Sequence, residues 1–255
     1  MTRNKKFKRV HFYVSDMKKL IFILCFFIAN IVCNAGTIGD TRMPLKWRAG
    51  YIISGDEVRK QGIDRCFTSS NIDKTIFERI KGHSYRNDCT VPLKELRYLR
   101  VLHYDADGNI RMGEMICNRA ISTDLLNIFR ELYNTRYPIE RMVLIDEYGA
   151  DDERSMTANN STCFNFRAIA GSKKLSNHSL GRAVDINPLY NPHVRRSNGR
   201  ITMVNPKAAR PYADRSKKFK MKIDREDLCY RLFIKHGFKW GGNWRTAKDY
   251  QHFEK

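Results

Sequence analysis

Ser176-Asn177-His178-Ser179-Leu180-Gly181-Arg182-Ala183-Val184-Asp185-Ile186, read together with Asp249-Tyr250-Gln251-His252 near the C-terminal end, decides how this chain is understood. The two runs supply two imidazoles, one carboxylate suited to coordination and one carboxylate to spare. Hydrolytic zinc sites hold the metal with three protein side chains and leave a fourth position to water, a role open to His178, Asp185 and His252. Asp249 then stands as the base beside that water. In Ala183–Ile186 the period-two alternation sends Val184 and Ile186 into a core and turns Asp185 to the opposite face. Gly181 lets the chain turn between the first two ligands, and Ala183 is small where the backbone passes the metal. Asp249 and His252 are three positions apart, same-sided on a helical turn but opposite-sided on a regular strand. A turn or bulge near Tyr250 is therefore required.

Two neutral histidines and one carboxylate leave a zinc ion with one net positive charge, enough to acidify bound water and polarise a substrate carbonyl. Asp249 accepts the water proton and returns it to the leaving amine. Arg167, on a strand expected over Phe164-Asn165-Phe166-Arg167, is a candidate cation for the oxyanion that attack produces. Ser176 offers a hydroxyl to the site or to substrate, and Trp240 and Trp244 either line a cleft or pack in the core. Plainer readings stand beside these. Arg167 can simply pair with a carboxylate, and Glu254 either supports the site or competes with Asp249 as base. His83, His103, His193 and His236 read as ordinary surface or core histidines.

With 255 residues the chain is long enough for one sizeable domain, and 42% apolar residues argue against disorder. Lys18-Lys19 precede an apolar run from Leu20 to Cys33, and Cys33-Asn34-Ala35 serves as a small-residue cleavage site. Residues 1–35 thus read as a secretory signal cut after Ala35. Met17 begins a conventional signal by itself, which makes residues 1–16 an upstream extension. An uncleaved anchor is the alternative, but the run is short against the roughly 20 residues a span needs, so no stable membrane span is expected. Removing residues 1–35 lowers the formal charge from +20 to +14. That field favours anionic partners without choosing among cell-wall polymer, membrane surface and nucleic acid, so it implies no specific nucleic-acid binding. Cys66, Cys89, Cys117, Cys163 and Cys229 remain, allowing up to two disulfides or a set of small buried thiols. None forms a CxxC pair, which argues against a thiolate zinc site.

Asp73 is expected to cap a short helix, and Leu96–His103 with Ile110–Cys117 to form a hairpin around Asp105–Asn109. Ser122 is expected to cap a longer helix carrying Leu125, Ile128, Phe129 and Leu132 on its core face. Met142–Ile145, Cys163–Ile169 and Ala183–Ile186 read as further strands, and Asp224 as the cap of a helix ending before Gly237. Residues 193–222, with ten Lys/Arg and one acidic residue, read as a long surface excursion. Strands in runs without a βαβ rhythm imply an α+β fold, a small mostly antiparallel sheet with packed helices.

The signature Ser-x-His-x-x-Gly-x-Ala-x-Asp, followed far downstream by Asp-x-x-His, resembles that of the zinc D-Ala-D-Ala carboxypeptidases, vancomycin-resistance dipeptidases and phage-type L-alanyl-D-glutamate endopeptidases. Gly113-Glu114, Pro138-Ile139, Phe164-Asn165-x-Arg167, Asn187-Pro188, Asn191-Pro192 and Trp240-Gly-Gly-x-Trp244 resemble the L-alanyl-D-glutamate branch, over about residue 90 to the end. The resemblance implies zinc ligation by His178, Asp185 and His252, Asp249 as base, Arg167 as transition-state cation, and the antiparallel hedgehog/DD-peptidase-like fold. On this basis residues 91–255 form the peptidase domain and 36–90 an N-terminal extension without an assigned role. The function implied is a secreted or periplasmic zinc metallopeptidase acting on peptidoglycan stem peptides, as an L-Ala-D-Glu endopeptidase or a D-Ala-D-Ala carboxypeptidase. A metal-bearing cell-wall binding module without turnover is the alternative, disfavoured by Asp249, which a binder does not need.

Overall fold

The computed structural model describes residues 46–169 and 171–255. The signal segment expected over residues 1–35 lies outside them. In chain order the helices are α1 (Gly55–Gln61), α2 (Lys74–Ile80), α3 (Arg119–Asn134), α4 (Asp152–Thr157) and α5 (Leu228–Lys235). The strands are β1 (Thr68–Ser70), β2 (Leu96–Tyr104), β3 (Ile110–Asn118), β4 (Ala183–Asp185), β5 (His193–Ser197), β6 (Arg200–Asn205), β7 (Lys239–Trp240), β8 (Ala247–Asp249) and β9 (His252–Glu254). They form three antiparallel sheets ordered β1-β2-β3, β4-β9-β7 and β6-β5-β8. The fold is α+β, as the sequence implies. No helix among the described residues is long and apolar enough to cross a membrane.

The expected hairpin is β2–β3, paired from Leu96↔Asn118 to Tyr104↔Ile110. Asp105 closes its turn by accepting from the backbone N–H groups of Asp107 and Asn109. Strand β3 runs straight into α3, because Asn118 is both its last residue and the helix cap, accepting from the Ala120 N–H. Ser122 is not the cap: it sits inside the first turn and donates to the Arg119 carbonyl. The apolar stripe of α3 packs as expected, with Leu125, Ile128, Phe129 and Leu132 buried in the main core beside Phe233 of α5. Burial of each such side chain contributes roughly 1.5–3 kcal/mol. Helix α2 is capped by Asp73 as expected, whereas α5 is capped by Asp227 and not Asp224.

Two expected strands join no sheet: Met142–Leu144 is extended and Ile145 already opens a 3-10 turn, while Cys163–Ile169 makes only an isolated bridge, Ala168 to Leu175. Met142–Ile145 has its backbone satisfied largely by side chains: Asn160 accepts from the Val143 N–H and donates to the Val143 carbonyl. Along Cys163–Ile169 the N–H groups of Phe164, Asn165 and Phe166 donate to Ile116, His178 and Ser84, three separate segments. A run of apolar residues reads the same whether an extended chain finds a strand partner or a series of unrelated acceptors, so sequence pattern cannot separate the two.

Residues 46–90 pack into the same body as the rest. The backbone at Gly50 and Ile53 bonds to Met112 and Ile110, and Arg79 makes a two-pronged ion pair with the buried Glu114 of β3. The excursion over 193–222 is not an unstructured loop. It contains the β5–β6 hairpin and a 3-10 helix over Lys207–Tyr212, held on a small core of Val194, Val204, Ala209 and Ala213. All five described cysteines are free thiols, and four are buried, so the small-core-residue reading applies to them and no disulfide forms among them.

Candidate metal centre

His178 stands on a single 3-10 turn, Asn177–Leu180, capped by the Ser176 hydroxyl, which accepts from the His178 N–H. Gly181 ends that turn in the left-handed region at φ 64°, and a Cβ there would lie 2.7 Å from the Asn118 backbone nitrogen. Only glycine meets both demands. The reversal delivers β4, whose Asp185 is directly opposite His252 of β9. Directly opposed residues share a face, so register alone makes neighbours of two groups 67 positions apart in sequence.

The three expected ligands converge. His178 Nε2 lies 3.2 Å from His252 Nδ1 and 3.3 Å from Asp185 Oδ2, and His252 Nδ1 lies 3.1 Å from Asp185 Oδ1. All three residues are buried. Tetrahedral zinc with bonds of about 2.0–2.1 Å needs donor–donor edges of roughly 3.3 Å, so the spacing fits. The outward ring nitrogens fix the tautomers. His178 Nδ1–H donates to the Cys163 carbonyl at 2.7 Å, and His252 Nε2–H donates to Glu254 at 3.3 Å. The lone pairs of two imidazoles are thereby aimed at each other and at a carboxylate. That arrangement requires a cation between them, a proton or a metal.

The ionisation tendencies agree. Burial works against charging His252, but Asp185 and Glu254 outweigh it and lift its pKa to about 10. Burial pushes Asp185 up, and the two imidazoles overcome this and hold the carboxyl well below the usual carboxylate range. Glu254 is itself depressed, chiefly by His252, with Asn177 as a second donor. Its place is therefore to support His252 and not to act as base. Strand alternation could have shown this, since Glu254 lies two residues after His252 and shares its face.

The turn required near Tyr250 is a change of sheet. Asp249 ends β8, which pairs with β5, whereas His252 begins β9, which pairs with β4 and β7. Gly241 makes room for it, since a Cβ there would stand 2.7 Å from the Asp249 carbonyl oxygen and 3.3 Å from His252 Cβ. Asp249 Oδ1 is buried without a hydrogen-bond partner. Burial raises its pKa, while His252 and His193 favour the ionised form. A carboxylate with a raised pKa and a free buried oxygen suits reversible proton transfer.

The outer residues divide. Trp240 is core: its indole N–H donates to the Tyr250 carbonyl and its ring packs on Phe253. Trp244 is 37% exposed with its ring centroid 5.2 Å from that of His252, so it borders the centre. Ser176 spends its acceptor capacity on the His178 N–H and so orients a ligand. Arg167 is in an ion pair with Asp152, and its backbone is tied to Ser179 and Ser176 of the ligand-bearing turn. Its side chain borders a cleft of about 630 Å³ together with His83 and Arg86. His193, an ordinary histidine by its sequence context, is placed directly opposite Asp249 by the β5–β8 register. No spacing signal could have revealed it, because it depends on which strand β8 chooses.

No curated protein and no solved structure matches the chain. A family model described as D-alanyl-D-alanine carboxypeptidase matches residues 170–255. That stretch holds His178, Asp185, Asp249 and His252 and leaves out Arg167. The resemblance carried by the two halves of the signature is thus matched over residues 170–255, about a third of the chain, which are similar to the D-alanyl-D-alanine carboxypeptidase family.

Proposed function

We propose that the chain is a secreted zinc metallopeptidase that hydrolyses peptide bonds in peptidoglycan stem peptides. The observation that carries this reading is the convergence of His178, Asp185 and His252 at zinc-ligand spacing with Asp249, whose Oδ1 is buried without a partner, just before the last ligand. Zinc held by those three side chains supplies a Lewis acid that polarises the scissile carbonyl and acidifies a water molecule. Asp249 takes the proton from the attacking water and returns it to the amine as the peptide C–N bond breaks. Cys163 and Glu254 hold the two imidazoles in the tautomers that present a lone pair inward. Arg167, paired with Asp152 and tied through its backbone to the ligand-bearing turn, is the cation this reading assigns to the developing oxyanion. Trp244 offers an apolar wall beside His252.

An L-Ala-D-Glu endopeptidase and a D-Ala-D-Ala carboxypeptidase would share this centre and differ in how much chain they admit beyond the scissile bond. Entry through a signal peptide over residues 1–35 accords with a cell-envelope substrate. Digestion of purified peptidoglycan by wild type and Asp249→Ala, with mass spectrometry of new termini, tests the proposal. New amino and carboxyl termini are expected from wild type, and a loss of about 10²–10⁴ in rate from the variant. Identical traces from both, with no new termini, would defeat it.

A further inference from the structure

The β5–β8 pairing sets His193 against Asp249, Val194 against Lys248 and Arg195 against Ala247. Directly opposite residues in an antiparallel pair project from the same face with Cβ atoms about 4.5–5.5 Å apart. The His193 imidazole and the Asp249 carboxylate are therefore side by side. Each has a buried atom without a partner: Nε2 of His193 and Oδ1 of Asp249. Buried polar atoms are nearly always paired, so two orphans on adjacent, same-face residues of complementary chemistry point to one unfinished contact. The rest of the site shows the contrast, since both ligand imidazoles have their outward nitrogens engaged.

We infer that His193 is a positioning residue for the base: its Nε2–H closes on Asp249 Oδ1, directly or through one water, and sets the carboxylate's orientation for proton transfer. The inference rests on the peptidase reading. It gives the β5–β6 hairpin a role in the reaction, because the hairpin brings His193 to a carboxylate on a strand more than fifty residues later. The attraction between the two groups works in the same sense, favouring an ionised Asp249 against its burial. His193 touches neither the metal donors nor substrate in this scheme, so its removal should leave metal binding intact and affect turnover alone.

Full-length wild type, His193→Leu and His193→Gln are compared on a stem peptide, with zinc per chain measured by plasma mass spectrometry. His193→Leu fills the space without a donor, whereas glutamine restores an N–H near the position of Nε2. The leucine variant should keep one zinc and KM within about twofold while kcat falls about 10–100-fold, the scale of losing a positioned group. Glutamine should recover most of that loss. A readout independent of turnover is the ¹H–¹⁵N correlation of the His193 ring in the zinc-loaded chain, expected to shift on Asp249→Asn. A leucine variant with wild-type kcat, a glutamine variant no better than leucine, or a His193 ring unmoved by Asp249→Asn would each overturn the inference. If wild type hydrolyses no peptide, the peptidase reading fails, and the ring spectrum still decides whether His193 engages Asp249.

Discussion

Two three-stranded sheets meet at Tyr250-Gln251, and they treat their polar groups in opposite ways. In β4-β9-β7 and the 3-10 turn that leads into β4 the ligand side chains are locked: His178 is held by Cys163, His252 by Glu254, and Asp185 lies between both imidazoles. In β6-β5-β8 the corresponding groups, His193 Nε2 and Asp249 Oδ1, are buried and unpartnered. Leaving such an atom unsatisfied costs about 1–3 kcal/mol. The first sheet therefore prepares a rigid grip on a cation. The second holds the base and the histidine set opposite it with their contact still open, at some cost to stability.

The sharpest way to break this contrast is to remove one group from each sheet. Asp185→Ala should lose both zinc and turnover, whereas Asp249→Ala should lose turnover by about 10²–10⁴ and still hold one zinc, as metal analysis after dialysis would show. If Asp249→Ala also emptied of zinc, the division of labour between the sheets would not hold. A smaller effect is expected from Glu254→Gln, which weakens the brace on His252 without touching the donors. Zinc affinity should drop about 10–100-fold, read by competition with a chelator. An unchanged affinity would mean that the outward hydrogen bond does not tune the ligand.

The effect of pH is graded, at most about tenfold for each unit. With its pKa raised to about 10 in the zinc-free fold, His252 carries a proton at neutral pH, against burial and in favour of Asp185 and Glu254. The stability this contributes is full below the ordinary histidine value of about 6.5 and is lost as pH rises through about 10. Zinc must displace that proton, so its affinity should strengthen by up to about tenfold per unit between roughly pH 7 and 9. Chelator competition at fixed ionic strength checks this, and a flat profile would contradict it.

The ligand half of the centre was legible in the sequence because its constraints are local. Ser176 caps the turn, Gly181 reverses it, and alternation in Ala183–Ile186 orients Asp185. The required turn near Tyr250 could likewise be deduced from a spacing of three. The half built by strand pairing was not legible. His193 looks like any solitary histidine until β8 is known to lie along β5, and the charge-rich 193–222 stretch hides a hairpin whose apolar residues, Val194 and Val204, are few. Helix caps show a related limit. Asn118 outcompetes Ser122, and Asp227 outcompetes Asp224, because the preceding strand or turn fixes where the helix can begin. Several short polar residues near a helix start are equivalent until that geometry is set.

The claim on which the rest depends is that His178, Asp185 and His252 share one zinc ion. X-ray absorption at the zinc edge of the full-length chain, loaded with one equivalent, tests it directly. The expected first shell is nitrogen and oxygen only, four donors at about 2.0–2.1 Å with the multiple-scattering pattern of two imidazoles. A sulfur shell near 2.3 Å, or a spectrum unchanged when His178 and His252 are both replaced by alanine, would place the metal elsewhere and contradict the claim.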